Sequence, residues 1–345
     1  MFLFFPFSFL FFSLIIISTI LSISRGHVLG VWLGLELNTL RFIAFRVQNF
    51  SLKQVESCLK YFLIQSLGSG LWLIGSLINF CVRGNWYRGF NEFILGIFII
   101  MWRIVLKIGG APISFWVPRV IRHLNWFRCC VITTWQKVIP FFILRDFFWY
   151  NYSNIIVILG LIRAIVGGVG GLNQVNLRVL IAYSSIGHVV WIISVMYYSN
   201  RARIVYYFRY FICRLRVFSY FWFLEYLSFN NLSGWRVFGF RFEIILGVIL
   251  LSLAGMPPLT GFIGKWIGIT ALANRGVYLV VLFLLLGSLI NLFYYLIIIR
   301  NLVIWSGVWR RVSLSEMKER SYNFFLFFFF FLSSVGIIFV CFVIC

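Results

Sequence analysis

The chain is dominated by long apolar stretches that short polar segments separate. Apolar segments of about 20 residues recur from one end of the sequence to the other, and an α-helix needs about that length to cross a bilayer. The apolar and polar positions do not alternate, as they would in the strands of a membrane β-barrel. Because lipid offers backbone groups no hydrogen bonds, the pattern predicts an all-α polytopic membrane protein.

The same length rule predicts about eleven transmembrane helices. Their connections are short, so residues 1–345 are predicted to form a single membrane domain. The apolar N-terminal run lacks a positive region before it and is too long for a signal-peptide core, so we expect a retained span. The predicted spans lie near residues 2–24, 27–47, 56–80, 91–109, 127–148, 153–171, 176–197, 203–224, 243–265, 276–300 and 323–345.

Two segments predict broken helices within the membrane. KIGGAPISFWVP places Pro112 just after two glycines, and LAGMPPLTGFIGKW places Pro257 and Pro258 inside an apolar run. A proline removes a backbone donor and clashes with the preceding turn. Irregular backbone at membrane depth survives only inside protein or beside water, and in transporters it marks ion sites. A simple packing kink is the plainer alternative at each place.

Composition supports the membrane assignment. Hydrophobic residues make up 62% of the chain and charged residues 11%, and a soluble domain cannot bury so much apolar surface. The net charge of +22 would suggest a nucleic-acid partner in a soluble protein. Here the charges lie within apolar segments, so the expected surroundings are the lipid bilayer and no nucleic acid.

The sequence contains no pattern typical of a bound cofactor or metal. Its seven cysteines are scattered without a CxxC pair, so they are expected to be small packing residues rather than ligands or disulfides. There is no nucleotide-binding glycine fingerprint and no histidine pair at haem or metal spacing. We therefore expect no redox centre, metal or cofactor in this chain itself.

Four ionisable residues lie within apolar segments near the predicted breaks: Glu36, Lys107, Lys137 and Lys265. Low-dielectric surroundings disfavour the charged form of a glutamate or a lysine, and a neighbouring opposite charge favours it again. A row of such groups is therefore suited to passing protons. Ionisable residues inside a membrane are functional candidates by default, so these four are the predicted proton-transfer residues.

Each candidate also has a plainer interpretation. Lys107 and Lys265 could end a span and extend to the interface, whereas Lys137 has apolar sequence on both sides and fits that interpretation less well. Glu36 could form a structural pair with a nearby lysine. His188, in AYSSIGHVVW, is a candidate relay or a histidine that satisfies a packing hydrogen bond, and the sequence favours neither.

Six motifs occur in an order typical of a known family: WLGLELN, ESCLKYFLIQS, KIGGAPISFWVP, TTWQKVIP, GLNQVNLRVLIAYSSIGHVVW and LAGMPPLTGFIGKW. From about residue 27 to 270 the chain resembles the NADH dehydrogenase subunit 2 family, the antiporter-like membrane subunits of respiratory complex I. Its short length resembles the animal mitochondrial form, which is truncated at its N-terminus relative to bacterial relatives.

The resemblance implies a proton-translocating subunit of NADH:ubiquinone oxidoreductase in the mitochondrial inner membrane. It implies other membrane and peripheral subunits of complex I as partners, with NADH, FMN, Fe–S clusters and ubiquinone bound there. The family's ion-pair glutamate falls on Glu36, its partner lysine on Lys107 and its central lysine on Lys137. The lysine of the second broken helix falls on Lys265. A cation/proton antiporter subunit and a purely structural spacer are the alternatives.

Two positions depart from the family pattern. Ser114 stands where the family usually has histidine, and Val179 stands where it usually has lysine after Arg178. Both differences remove polar groups near the water path that the resemblance implies.

The chain has 24 arginines against six lysines. Arg209, Arg214 and Arg216 fall in one predicted span, where each central arginine costs about 2.5–3.5 kcal/mol to insert. Arg41 and Arg128 stand where the family commonly has small polar residues. Since the codons AGA and AGG encode serine in many animal mitochondria, we predict that part of this arginine excess is serine in the native protein.

Mass spectrometry of the native NADH-oxidising membrane complex tests this interpretation. Chymotryptic peptides that cover Arg41, Arg209 and Arg214 should carry serine masses at these positions. Arginine masses would instead mean that these segments line water or pair with acidic partners. Absence of the chain from that complex would favour the stand-alone antiporter.

Overall fold

In a computed structural model, the described residues are 6–47, 51–86, 94–110, 114–147, 153–198, 200–230, 240–257 and 259–309. These residues are almost entirely α-helical. The helices are α1 Pro6–Ser24, α2 Val28–Val47, α3 Leu52–Arg83, α4 Ile94–Ile108, α5 Trp116–Ile121, α6 Trp126–Thr133, α7 Val138–Phe147, α8 Ser153–Leu172, α9 Leu177–Tyr198, α10 Asn200–Asn230, α11 Phe240–Ala254, α12 Thr260–Ala273 and α13 Tyr278–Trp309.

The contacts divide the chain into two compact units. The first comprises residues 1–159 and 175–182, and the second comprises 160–174 and 183–345. In the first unit α2 packs between α1 and α3, and α4 packs on α3 and contacts α7. In the second unit α12 packs on α10, and α13 packs on α11. The prediction of a single membrane domain stays a prediction.

Five of the described helical stretches are long and apolar enough to cross a membrane: Val28–Arg46, Leu52–Val82, Trp126–Leu144, Leu177–Met196 and Tyr278–Asn301. Shorter apolar helices cover Phe9–Ser24, Leu161–Leu172 and Ile244–Ala254. The all-α polytopic membrane class is therefore confirmed. The predicted span 323–345 lies outside the described residues.

The first predicted break begins where α4 ends at Ile108. Gly109 adopts a left-handed φ of 75°, and the Gly110 N–H donates to the Val105 carbonyl at 3.0 Å. This pattern is the Schellman motif, in which a residue at positive φ closes a helix. Pro112 lies outside the described residues, and the helix resumes at α5.

The second predicted break separates α11 from α12. Gly255 has a φ of 76° and closes α11 with a second Schellman motif, because the Met256 N–H donates to the Leu251 carbonyl at 3.3 Å. Pro257 lies exposed in the turn, and Pro258 lies outside the described residues. The predicted single span 243–265 is therefore wrong in its bounds. The apolar run continues across the break, so a length rule merges the two helices.

A third break, which the sequence prediction missed, divides the predicted span 127–148. α6 ends at Thr133, a 3-10 turn spans Trp135–Lys137, and α7 follows. Pro140 has no N–H to donate to the Gln136 carbonyl, which leaves that carbonyl without its helical partner. The Thr134 hydroxyl also donates to the Cys130 carbonyl at 2.7 Å, a side-chain bond that competes with regular helix.

Some arginines of the excess are buried in these helices. Arg46 is 0% exposed, lies over the rings of Phe42 and Tyr61 and donates to Ser57 Oγ at 3.2 Å. Its Nε and Nη1 have no hydrogen-bond partner among the described residues, and neither has Arg103 Nη1. Burying such donors is costly, whereas a serine would bury no charge. This cost is a physical reason to expect serine at some of these positions.

Gly255→Ala should destabilise the protein more than the matched variant Gly276→Ala. Gly276 has a φ of 74°, and a Cβ added there would meet no other atom within 4 Å. Both variants should lose about 1–2 kcal/mol because a side chain disfavours the left-handed conformation. At Gly255 a Cβ would also lie 2.9 Å from the Lys265 side chain and displace it.

The midpoint temperature of thermal aggregation of the purified protein measures this difference. Gly255→Ala should lower the midpoint further than Gly276→Ala does. Equal midpoints would contradict the close packing of Lys265 on the end of α11.

Candidate proton-transfer site

The site in the first unit is built around Glu36, a half-buried residue in the middle of α2. Its carboxylate Oε2 accepts a hydrogen bond from the Thr39 hydroxyl at 3.2 Å. Glu36 also interacts electrostatically with Lys107 and Arg103 on α4 and with Tyr61 on α3. One acid therefore faces two basic side chains that lie one turn apart on the same helix.

Lys107 lies in the last turn of α4, which ends at Ile108 just before Gly109. Its Nζ donates a hydrogen bond to the Leu35 carbonyl at 3.3 Å. Leu35 directly precedes Glu36 on α2. The ammonium group is thus held against α2 by a backbone oxygen, while the neighbouring carboxylate acts on it through space.

Lys137 lies in the 3-10 turn between α6 and α7 and is only 4% exposed. The neighbouring Gln136 donates from Nε2 to Asn38 Oδ1 at 3.0 Å. This hydrogen bond therefore joins the 3-10 turn to α2, the helix that carries Glu36.

A small cavity joins the two lysine-bearing segments. Lys107 and Lys137 both line it, so side chains of the two segments border the same small space within the first unit. The lining residues are Tyr61, Lys107, Ile108, Trp116, Val117, Ile132, Thr133, Gln136 and Lys137.

The second unit contains Lys265, which is 7% exposed on α12. Its Nζ donates to the Ala254 carbonyl at 2.5 Å. Ala254 is the last residue of α11, where unsatisfied carbonyls carry partial negative charge. Lys265 therefore caps the helix on the opposite side of the second break.

His188 lies on α9 and faces two tyrosines of α10. Its Nδ1 lies 3.3 Å from Tyr206 Oη, and its ring packs on Tyr210 with centroids 5.5 Å apart. This environment provides a hydrogen-bond partner for the ring, which both a relay and a packing histidine require.

The structure groups three of the predicted residues in the first unit: Glu36, Lys107 and Lys137. Lys265 and His188 belong to the second unit. The sequence analysis missed the Asn38–Gln136 hydrogen bond. Its signal was present in the motifs, because Asn38 lies two residues after Glu36 and Gln136 directly precedes Lys137.

Two positions compared above with the family pattern belong to the first unit: Ser114, which replaces the usual histidine, and Arg178, which precedes Val179. Ser114 Oγ is buried and has no hydrogen-bond partner among the described residues. Arg178 lies over the ring of Trp126 at 4.8 Å. Among the residues that the structure describes, no group of three His, Cys, Asp or Glu side chains could hold a metal ion.

Comparisons with known proteins identify the family of the chain. Residues 26–291 match the family described as NADH:quinone oxidoreductase/Mrp antiporter, TM. The NADH-ubiquinone oxidoreductase chain 2 of Branchiostoma lanceolatum is 35% identical over 312 residues, which cover 88% of this chain and 90% of that protein.

Two solved structures share the fold. Respiratory complex I from Thermus thermophilus contains a chain that superimposes with a TM-score of 0.72 at 23% identity, over 84% of this chain and 69% of that one. A chain of an archaeal membrane-bound sulfane sulfur reductase gives a TM-score of 0.80 at 16% identity, over 96% and 73%. On these sequence matches, the chain belongs to the NADH-ubiquinone oxidoreductase chain 2 family, within the broader NADH:quinone oxidoreductase/Mrp antiporter membrane family.

Proposed function

We propose that this chain is a core membrane subunit of NADH:ubiquinone oxidoreductase that translocates protons across the mitochondrial inner membrane. One observation carries the proposal: Lys107 donates a hydrogen bond to the backbone carbonyl next to Glu36, and Lys107 and Lys137 line the same small cavity. Family membership supplies the context, and the arrangement supplies groups that can hold and release protons.

Glu36 serves in this proposal as the gate. An opposite charge nearby favours the charged form of a buried lysine, and its removal favours the neutral form. When the Glu36 carboxylate is charged and close, Lys107 retains its proton. When that charge is neutralised or moves away, Lys107 releases its proton into the cavity that Lys137 lines.

Lys137 serves as the central relay. A relay must be reachable by its donor yet shielded from bulk water, and Lys137 is buried and lines the same cavity as Lys107. Its place in a break also leaves non-helical backbone beside the cavity, which membrane depth tolerates only next to protein or water.

Lys265 serves as the exit-side relay and His188 as an additional relay. Lys265 donates to the free end of α11, which favours its charged form without fixing it in an ion pair. His188 has a tyrosine hydroxyl within hydrogen-bonding distance of Nδ1, so its ring can exchange a proton with a neighbouring group.

The partners in this proposal are the other membrane and peripheral subunits of complex I. NADH, FMN, Fe–S clusters and ubiquinone bind to those partners, and electron transfer there drives proton movement here. A cation/proton antiporter subunit is the second candidate, because the matched family also includes Mrp antiporters. Co-purification with NADH-oxidising subunits supports the first function, and their absence supports the second.

Lys137→Met should abolish proton transfer through this subunit without preventing assembly. Removing a proton-transfer group slows such a step by roughly 100-fold or more, and methionine preserves the bulk of the buried side chain. We expect fewer protons pumped per NADH oxidised in inner-membrane vesicles, with an unchanged amount of assembled complex on native gels.

Lys60→Met is the matched control. Lys60 is an exposed lysine of the first unit and pairs with Glu56 one turn earlier on α3, so its loss should leave the proton ratio unchanged. Full proton stoichiometry in an assembled Lys137→Met complex would rule out the relay assignment. If neutralising all four predicted residues left pumping intact, the chain would be a structural spacer.

A further inference from the structure

The 3-10 turn Trp135–Lys137 needs an external contact to hold its position. Regular helix ends at Thr133, and Pro140 leaves the Gln136 carbonyl without its helical donor. The backbone bonds at the turn are local: the Lys137 N–H donates to the Thr134 carbonyl at 3.2 Å, and the Val138 N–H donates to the Trp135 carbonyl. A local bond fixes the shape of the turn but does not fix its distance from another helix.

The Asn38–Gln136 hydrogen bond provides such a contact. It joins side chains that are 98 residues apart in sequence, at 3.0 Å, and both are buried. Asn38 is 0% exposed and Gln136 is 5% exposed. A buried amide pair has narrow distance and angle requirements, so it sets the position of the turn relative to α2.

A single turn of α2, residues 35–38, contacts both lysine-bearing segments. At its start the Leu35 carbonyl accepts a hydrogen bond from Lys107, and at its end Asn38 accepts one from Gln136. Glu36 lies between these two contacts. The spacing between the two lysines therefore depends on the same four residues that carry the acidic group.

The amide pair is also costly as a purely structural element. Asn38 Nδ2 and Gln136 Oε1 are buried and have no hydrogen-bond partner among the described residues. Two apolar side chains would fill this space without unpaired polar atoms. Local costs of this kind are characteristic of functional sites, and Gln136 lines the same small cavity as both lysines.

We propose that Asn38 and Gln136 form a positioning pair, which holds the Lys137 turn at a fixed distance from Glu36 and Lys107. Gln136 is the positioning residue for Lys137, and Asn38 is its anchor on α2. This inference rests on the proposed function, since it concerns the geometry of the same relay. A displacement of about 1 Å in such a site can slow a transfer step by roughly 100-fold.

The test measures protons pumped per NADH oxidised in membrane vesicles that contain the assembled complex. Gln136→Leu and Asn38→Leu should each lower this ratio by at least half of the loss that Lys137→Met produces. The double variant should lose no more than either single variant, because residues that act through one contact are not additive. If the loss in the double variant exceeded the loss in either single variant, the two residues would act separately, and the proposed pair would be wrong.

A length exchange separates positioning from mere packing. Gln136→Asn shortens one arm of the bridge by one methylene and should lower the ratio. Adding Asn38→Gln lengthens the other arm and should restore the ratio, since the total reach is again the same. No recovery in the exchanged pair would contradict the inference, and these conservative variants cover the case in which a leucine variant does not assemble.

Gln65→Leu is the matched control, because Gln65 is a buried glutamine of α3 in the same unit. It should leave the proton ratio unchanged. If Lys137→Met itself kept the full ratio, the proposed function would fail before the pair was judged. If Lys137→Met lost pumping while Gln136→Leu kept it, only the positioning pair would be wrong.

Discussion

The architecture depends on the inability of lipid to hydrogen-bond a peptide group. Each carbonyl and N–H at membrane depth must be satisfied within the protein, so the apolar segments form helices. Wherever a helix stops, its last carbonyls lose their partners. At the end of α11 the Lys265 amine provides a donor to the Ala254 carbonyl. The break and the buried lysine therefore stabilise each other.

Two of the three predicted lysines share this relation to helix ends. Lys107 occupies the last turn of α4 and Lys265 reaches back to the end of α11, whereas Lys137 directly precedes the first residue of α7. A helix C-terminus carries partial negative charge and stabilises a nearby cation. It does so without a full countercharge, which would hold the proton too firmly for a relay. Helix breaks thus offer moderate stabilisation to buried amines.

Apolar run length was sufficient to predict the all-α class and most helices, because burial in lipid is a requirement on each segment separately. The breaks at Gly109 and Gly255 were also predictable, since glycine and proline act locally. The break at Lys137 depends on Pro140, three residues later, and on threonine side-chain hydrogen bonds. A rule based on the length of apolar runs takes neither into account. The Asn38–Gln136 hydrogen bond joins distant segments, so one sequence alone could place both residues beside the predicted site but could not pair them.

Two glutamate–lysine pairs of the first unit show why burial matters for function. Glu56 and Lys60 form a direct ion pair on the exposed side of α3, where water weakens the attraction. Glu36 and Lys107 instead bind other groups, since Thr39 donates to the Glu36 carboxylate and Lys107 donates to a backbone carbonyl. A direct buried ion pair would hold both charges strongly. Because each group has a separate partner, neither charge is fixed in a direct ion pair, as the proposed gate requires.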